Sequence, residues 1–115
     1  MKTIAFAAAD EVIITGDRTR TDSANFNQVS GPAFTILDNN GNPIACGGLR
    51  IKGIAEAWFQ INKEKKQLVY IMKKCREKLN AMQREEKICQ MFAMSDNSEN
   101  WLEHLGFKKE DIFVR

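Results

Sequence analysis

Asn100-Trp101-Leu102-Glu103-His104-Leu105-Gly106-Phe107 runs directly into Lys108 to Val114, and this ending decides how the chain is read. The first six residues predict a short amphipathic helix. Gly106 can take the left-handed conformation that closes such a helix. Phe107 is large and apolar, and the alternation through Ile112 and Val114 predicts a closing strand.

Upstream, Ile88 to Met94 is apolar except for Gln90, which suits a strand covered on both faces. Asp96 and Glu99 supply capping chemistry for the helix that follows. Glu64 to Arg84 predicts the longest helix, with Leu68, Met72, Cys75, Leu79 and Met82 as its apolar stripe. Before it, Ala33 to Leu37 and Ile44 to Ile51 flank a run containing Asn40-Gly41, a hairpin signal, with Pro43 where no ladder donor is needed. Gly47-Gly48 predicts a bulge or a close backbone approach. A third strand, Ala55 to Ile61, places Glu56, Trp58 and Gln60 on one face and Ala57, Phe59 and Ile61 on the other. The order is a β-meander followed by α-β-α-β, a mixed α/β sheet with parallel crossovers in its second half. Residues 1–30 read as an irregular segment with one strand at Val12-Ile13-Ile14-Thr15 and with Phe26 and Val29 as buried candidates, set before a core of 31–115.

Composition narrows the function classes. The chain has 115 residues, 43% hydrophobic and 28% charged, with a net charge of +2. That is the balance of one soluble domain. Nine Lys/Arg against four Asp/Glu between Lys63 and Lys87 give a local +5. That stretch lacks interleaved exposed aromatics, so it argues against nucleic-acid binding. Cys46, Cys75 and Cys89 are widely spaced in apolar segments and read as buried free thiols of a reducing cytoplasm. A single histidine, His104, without a Cys/His cluster, predicts no metal site. The apolar run within Met1 to Ala9 is shorter than the ~7–15 residues of a signal-peptide core, and no stretch reaches membrane-spanning length.

On these residues, 31–115 resembles the C-terminal two-thirds of the GNAT superfamily of acyl-CoA-dependent N-acetyltransferases, in a truncated form. Phe34-Thr35-Ile36-Leu37-Asp38 and Gly41 to Gly48 are similar to its second and third strands, and Ala55 to Ile61 to the fourth, where acyl-CoA docks. Ala55-Glu56-Ala57-Trp58 and Trp101 to Phe107 also resemble small GNAT-like proteins of tailed bacteriophages, some acyltransferases and some internal virion proteins. The resemblance implies acetyl-CoA as cofactor, an amine as acceptor, and a cytoplasmic or virion-associated protein. It implies Glu56 as the base that deprotonates the amine. It places pantetheine along the backbone of Phe59, Gln60 and Ile61, with a backbone N–H there polarising the thioester carbonyl.

Several positions depart from the family pattern. The phosphate loop is usually Arg/Gln-x-x-Gly-x-Gly/Ala; here Asn62-Lys63-Glu64-Lys65-Lys66-Gln67 stands in its place, with no glycine between Gly53 and Gly106. Lys63, Lys65, Lys66 and Gln67 either attract phosphates at a helix start or are solvated there. The tyrosine that donates a proton to the departing thiolate is Leu102 here, and the asparagine seven residues before it is Ser95, grouped with the cofactor-binding positions. Trp58 lines a ligand groove or packs under the long helix; Trp101 belongs to the core, and His104 to the surface. In the family, a first strand and two helices wall the acceptor site, and residues 1–30 show little helical pattern. Two functions follow: an acetyl-CoA-dependent N-acyltransferase, or a non-catalytic GNAT-like phage protein for virion assembly or host binding. The short meander's edge would also permit a homodimer.

Overall fold

The computed structural model describes residues 2–52, 54–62, 68–88, 90–93, 99–109 and 113–115. The elements run β1 (Lys2–Ala5), α1 (Ala8–Thr15), a 3-10 turn (Arg18–Arg20), α2 (Thr21–Ser30), β2 (Ala33–Leu37), β3 (Pro43–Lys52) and β4 (Ile54–Ile61). They continue with α3 (Leu68–Glu85), β5 (Met91–Ala93), α4 (Glu99–His104), β6 (Lys108–Lys109) and β7 (Phe113–Val114). One sheet holds all the described strands, in the order β1-β2-β3-β4-β5-β7-β6. β1 to β4 form an antiparallel meander, β5 joins β4 in parallel across α3, and β7 and β6 close the sheet antiparallel.

Local chemistry explains the meander. The Asp38 carboxylate accepts from the backbone N–H of Asn40 and of Asn42, and Gly41 takes φ 83°, so the chain reverses tightly between β2 and β3. Pro43 opens β3, opposite Leu37, after the one register shift in that ladder. At Gly47 and Gly48 the sequence signal resolves as close approach. A Cβ on Gly47 would lie 2.6 Å from the Phe59 ring, and one on Gly48 would lie 2.5 Å from the Pro32 carbonyl oxygen.

Two apolar layers cover the two faces. Phe34, Ile36, Leu49, Ala55 and Ala57 pack against Ile71, Cys75, Leu79 and Met82 of α3, with Leu102, Leu105 and Phe107 from α4 and the turn after it. The α3 stripe therefore starts at Ile71, because Leu68 is exposed. On the opposite face Phe6, Ile14, Cys46 and Trp58 form a smaller layer under α1. Trp58 thus packs edge-on to Phe6, ring centroids 5.1 Å apart, and not under the long helix.

The N-terminal region corrects its sequence reading. Val12 to Thr15 is the second half of α1, and residues expected to be irregular form α2. Asp10 accepts from the N–H of Ala7 at the start of α1, and Gly16, at φ 67°, donates to the Val12 carbonyl at its end. The inward positions of these helices are Glu11 and Ile14, then Ala24 and Asn27. Because a carboxylate and an amide occupy half of that face, no apolar period marks it. Phe26 and Val29 point outward, 41% and 82% exposed.

At the other end, Gly106 takes φ 97° and the Phe107 N–H returns to the Leu102 carbonyl, as the motif predicts. The closing strand is instead a short hairpin, and β7, not β6, pairs with β5. Ile112 and Met94 lie outside the described residues. No helix among the described residues is long and apolar enough to cross a membrane.

Substituting Gly48→Ala forces a methyl group onto backbone atoms and Ala33, and should destabilise the fold by about 1–3 kcal/mol. Urea unfolding should show a lower midpoint with an unchanged slope.

Candidate functional site

A cleft of about 560 Å³ opens where the end of α1 meets the end of β4. That volume lies within the range of small-molecule sites. One wall is Ile13 to Gly16 from α1 with Asp17 and Arg20 from the following turn; the other is Gln60, Ile61 and Asn62. Gly16 ends the helix, and Asp17 rebuilds order directly after it by accepting from the Thr19 N–H at 2.9 Å and the Thr19 hydroxyl at 2.6 Å. Those bonds, with help from Arg20, hold the Asp17 carboxyl below its ordinary range. Asp17 is therefore an anion at the rim.

Behind this wall lies a buried polar chain. Arg20 Nε meets Glu11 Oε2 at 3.3 Å, and Glu11 is fully buried. Asn27 Nδ2 donates to Glu11 Oε1 at 2.8 Å, and Arg50 Nε donates to Asn27 Oδ1 at 2.7 Å. Arg50 Nη1 then donates to Glu56 Oε1 at 2.8 Å, across the ladder position that pairs β3 with β4. Arg50 also lies over the Trp58 ring, 5.9 Å from its centroid. Trp58 Nε1 is buried with no hydrogen-bond partner among the described residues. Glu56 thus sits in an ion pair with a cross-strand arginine, and it does not line the cleft.

The edge of β4 supplies a second element. Asn62 N–H donates to the Ile44 carbonyl, and Leu49 N–H turns away from β4 to Pro32. In an antiparallel ladder, alternate residues bond to the neighbour. With Cys46 opposite Gln60 and Gly47 opposite Phe59, the N–H and C=O groups of Gln60 face β3, while those of Phe59 and Ile61 face the side of β5. The described β4–β5 pairing consists of Ala55 with Met91 and Glu56 with Phe92. No described residue pairs with Phe59 or Ile61 on that side. Of the sequence-predicted cofactor positions, Gln60 and Ile61 therefore border the cleft, and Phe59 packs its ring on Gly47 while its backbone faces the side of β5. Lys63, Lys65, Lys66, Gln67 and Ser95 lie outside the described residues. Leu102 is a core residue.

Sequence reasoning missed Asp17 and Arg20, and it missed the helices that hold them. The only available signal was Asp17 two residues before Thr19, a local capping pattern that also occurs in ordinary turns. The two described thiols offer no nucleophile: burial pushes Cys75 up to about 12, and burial together with the Glu11 and Asp10 carboxylates pushes Cys46 higher still. Cys89 is outside the described residues, and those residues contain no cluster suited to a metal ion.

No family model matches the sequence, and no curated protein matches it. Solved structures of N-acetyltransferases share the fold. A provisionally assigned phosphinothricin N-acetyltransferase superposes with a TM-score of 0.70 at 17% identity, over 98% of this chain and 94% of its own. The ribosomal-protein-S5-alanine acetyltransferase of Vibrio fischeri gives 0.67 at 13% identity, over 94% and 79%. A GNAT-family acetyltransferase of Bacillus anthracis gives 0.68 at 14% identity, over 94% and 80%. The chain has the GNAT acyltransferase fold, including the two N-terminal helices that the sequence reading left out.

Asn27→Ala would leave Glu11 Oε1 and Arg50 Nε without their partner in a buried setting, a loss of about 1–3 kcal/mol that chemical denaturation would measure. A change below about 0.5 kcal/mol would show that water replaces the amide.

Proposed function

We propose that the protein is an acyl-CoA-dependent N-acyltransferase that moves an acetyl group from acetyl-CoA to a small amine. The observation that carries this reading is the edge of β4 at Phe59 and Ile61, whose backbone groups face away from β3, beside a polar cleft walled by α1. An extended amide chain such as pantetheine can satisfy such an edge as a further strand would. Bound there, acetyl-CoA would supply the activated acetyl group. The chain's own part is an outward N–H of Phe59 or Ile61 at the thioester carbonyl, where developing negative charge is stabilised by a fixed donor. No glycine for phosphate contact stands between Asn62 and Gly106, so Lys63, Lys65, Lys66 and Gln67 would meet the phosphates mainly as point charges and side-chain donors.

Transfer forms a C–N bond and breaks the C–S bond, and the thiolate departs with the electron pair. The attacking amine loses one proton. Glu56 is the carboxylate proposed to take it: Oε1 is held by Arg50, which fixes the side chain, and Oε2 has no hydrogen-bond partner among the described residues. Gln60 on the same face is two strand repeats away, about 13 Å, so the proton would pass through water. Leu102 cannot protonate the thiolate. A thiol titrates near pH 8.5, so its anion leaves without an acid more readily than an alkoxide would.

A tailed-phage origin, with a role in virion assembly or host binding, rests on the motifs at Ala55–Trp58 and Trp101–Phe107 and is the reading to adopt if acetyl-CoA does not bind. A homodimer through the outer strand β1 is a separate proposal, tested by the mass in solution. Titration with acetyl-CoA should raise the melting temperature, with about 2.7 kcal/mol of stabilisation at one hundred times the dissociation constant. No shift at millimolar acetyl-CoA would sink the acyltransferase reading. Glu56→Gln should leave that shift intact and slow transfer at least tenfold, the usual scale for a lost general base; undiminished transfer removes Glu56 as the base.

A further inference from the structure

Arg20 is the cleft residue that acyl transfer as described leaves without a task. Its Nε is committed to Glu11, which is itself buried and held by Asn27. The guanidinium is therefore clamped from behind by a rigid acceptor. Its two terminal nitrogens have no hydrogen-bond partner among the described residues, the Asp17 carboxylate beside it feels its charge, and the side chain, 35% exposed, lines the cleft. If neutralising Glu11 were its only purpose, a fully buried pair would do so without presenting half the fork to solvent. A planar guanidinium with one edge fixed and the other open matches a carboxylate, which two parallel N–H groups can hold together. Asp17, an anion in the same cleft, supplies the complementary charge for an ammonium group. Gln60 and Asn62 complete a wall of neutral amides.

We propose that the acceptor is a small amine that carries a carboxylate, an α-amino acid or a close relative, and that Arg20 is the specificity-determining residue that binds this carboxylate, with Glu11 and Asn27 as its positioning residues. This rests on reading the cleft as the acceptor side of the acyltransferase. It adds a substrate class to that reading. The cleft, at about 560 Å³, has room for an amino acid and an acetyl group together.

The test uses the intact chain and measures binding separately from turnover. Calorimetry would screen the twenty amino acids singly, and each that binds would be compared with its decarboxylated amine: lysine with cadaverine, phenylalanine with phenethylamine. The expected result is at least tenfold tighter binding of the carboxylate-bearing member. Arg20→Gln alone strands the Glu11 charge, so the double variant Arg20→Gln/Glu11→Gln keeps the buried pair neutral and the fold testable. In it the preference should vanish while acetyl-CoA affinity stays within twofold. Arg20→Lys keeps the charge without the fork and should retain only part of the preference. Three results overturn the proposal: no amino acid binds, the decarboxylated amines bind equally well, or the preference survives in the double variant. Loss of acetyl-CoA affinity in that variant would also overturn it, by assigning the guanidinium to the cofactor's phosphates. Carboxylate-dependent binding without any acetyl transfer would uphold Arg20 as a carboxylate-binding residue and refute the acyltransferase. Transfer to amines without a carboxylate preference would do the reverse.

Discussion

A carboxylate with no contact to solvent, Glu11, is the constraint around which the N-terminal half is arranged. Burying that charge is costly unless every lone pair finds a partner. Asn27 answers from α2 and Arg20 from the 3-10 turn, and Arg50 of β3 in turn fixes Asn27. Four separate pieces of chain must meet for one residue to be satisfied. Helix α1 could pack on the sheet through Ile14 alone, but an apolar contact has no preferred orientation. The polar chain gives the layer one arrangement, and it aligns the end of α1 with the end of β4.

That alignment produces the cleft. Gly16 stops the helix, Asp17 starts the turn, and Arg20 comes back to Glu11, so the wall facing Gln60 is held at both ends. At its far end the same chain reaches Glu56 through Arg50. The residue proposed as base and the residue proposed to hold the acceptor are thus tied into one rigid network. The other face of the sheet is built differently: Ile71, Leu79, Met91 and Leu105 are fully buried among apolar neighbours, with Cys75 beside them as a high-pKa, inert thiol. One face carries the bulk of the hydrophobic stabilisation, and the opposite face carries the polar geometry. Gly47 and Gly48, where β3 must admit Phe59 on one side and Pro32–Ala33 on the other, let the middle strand serve both.

Legibility follows this division. The hairpin at Asp38–Pro43, the faces of β4, the α3 stripe from Cys75 to Met82 and the glycine-aromatic ending at Gly106-Phe107 could all be read, because each is dictated by a short-range rule of turn chemistry or apolar period. The two N-terminal helices could not be read. Their inward faces carry Glu11 and Asn27, while Phe26 and Val29 lie outside, so the usual sign of burial is inverted. Ile13 and Val12, adjacent to Ile14, counterfeit a strand. The site divided in the same way: Gln60 and Ile61 came from their place on a recognised strand, whereas Arg20 has no local mark.

By itself, then, the sequence determined the strand-helix order from residue 31 through α4, the closing glycine turn and the resemblance to an acyltransferase scaffold, since these depend on neighbours within a few residues. Tertiary structure alone decided that α1 and α2 exist as a wall, that Trp58 packs beneath α1, that β7 inserts beside β5, and that Arg20 faces Gln60. Each of those outcomes depends on a partner far away in the chain: Asn27 for Glu11, Phe6 for Trp58, Met91 for Arg115, Glu11 for Arg20. A buried charge looks like any surface charge in one dimension, and only its distant partners reveal that it is inside.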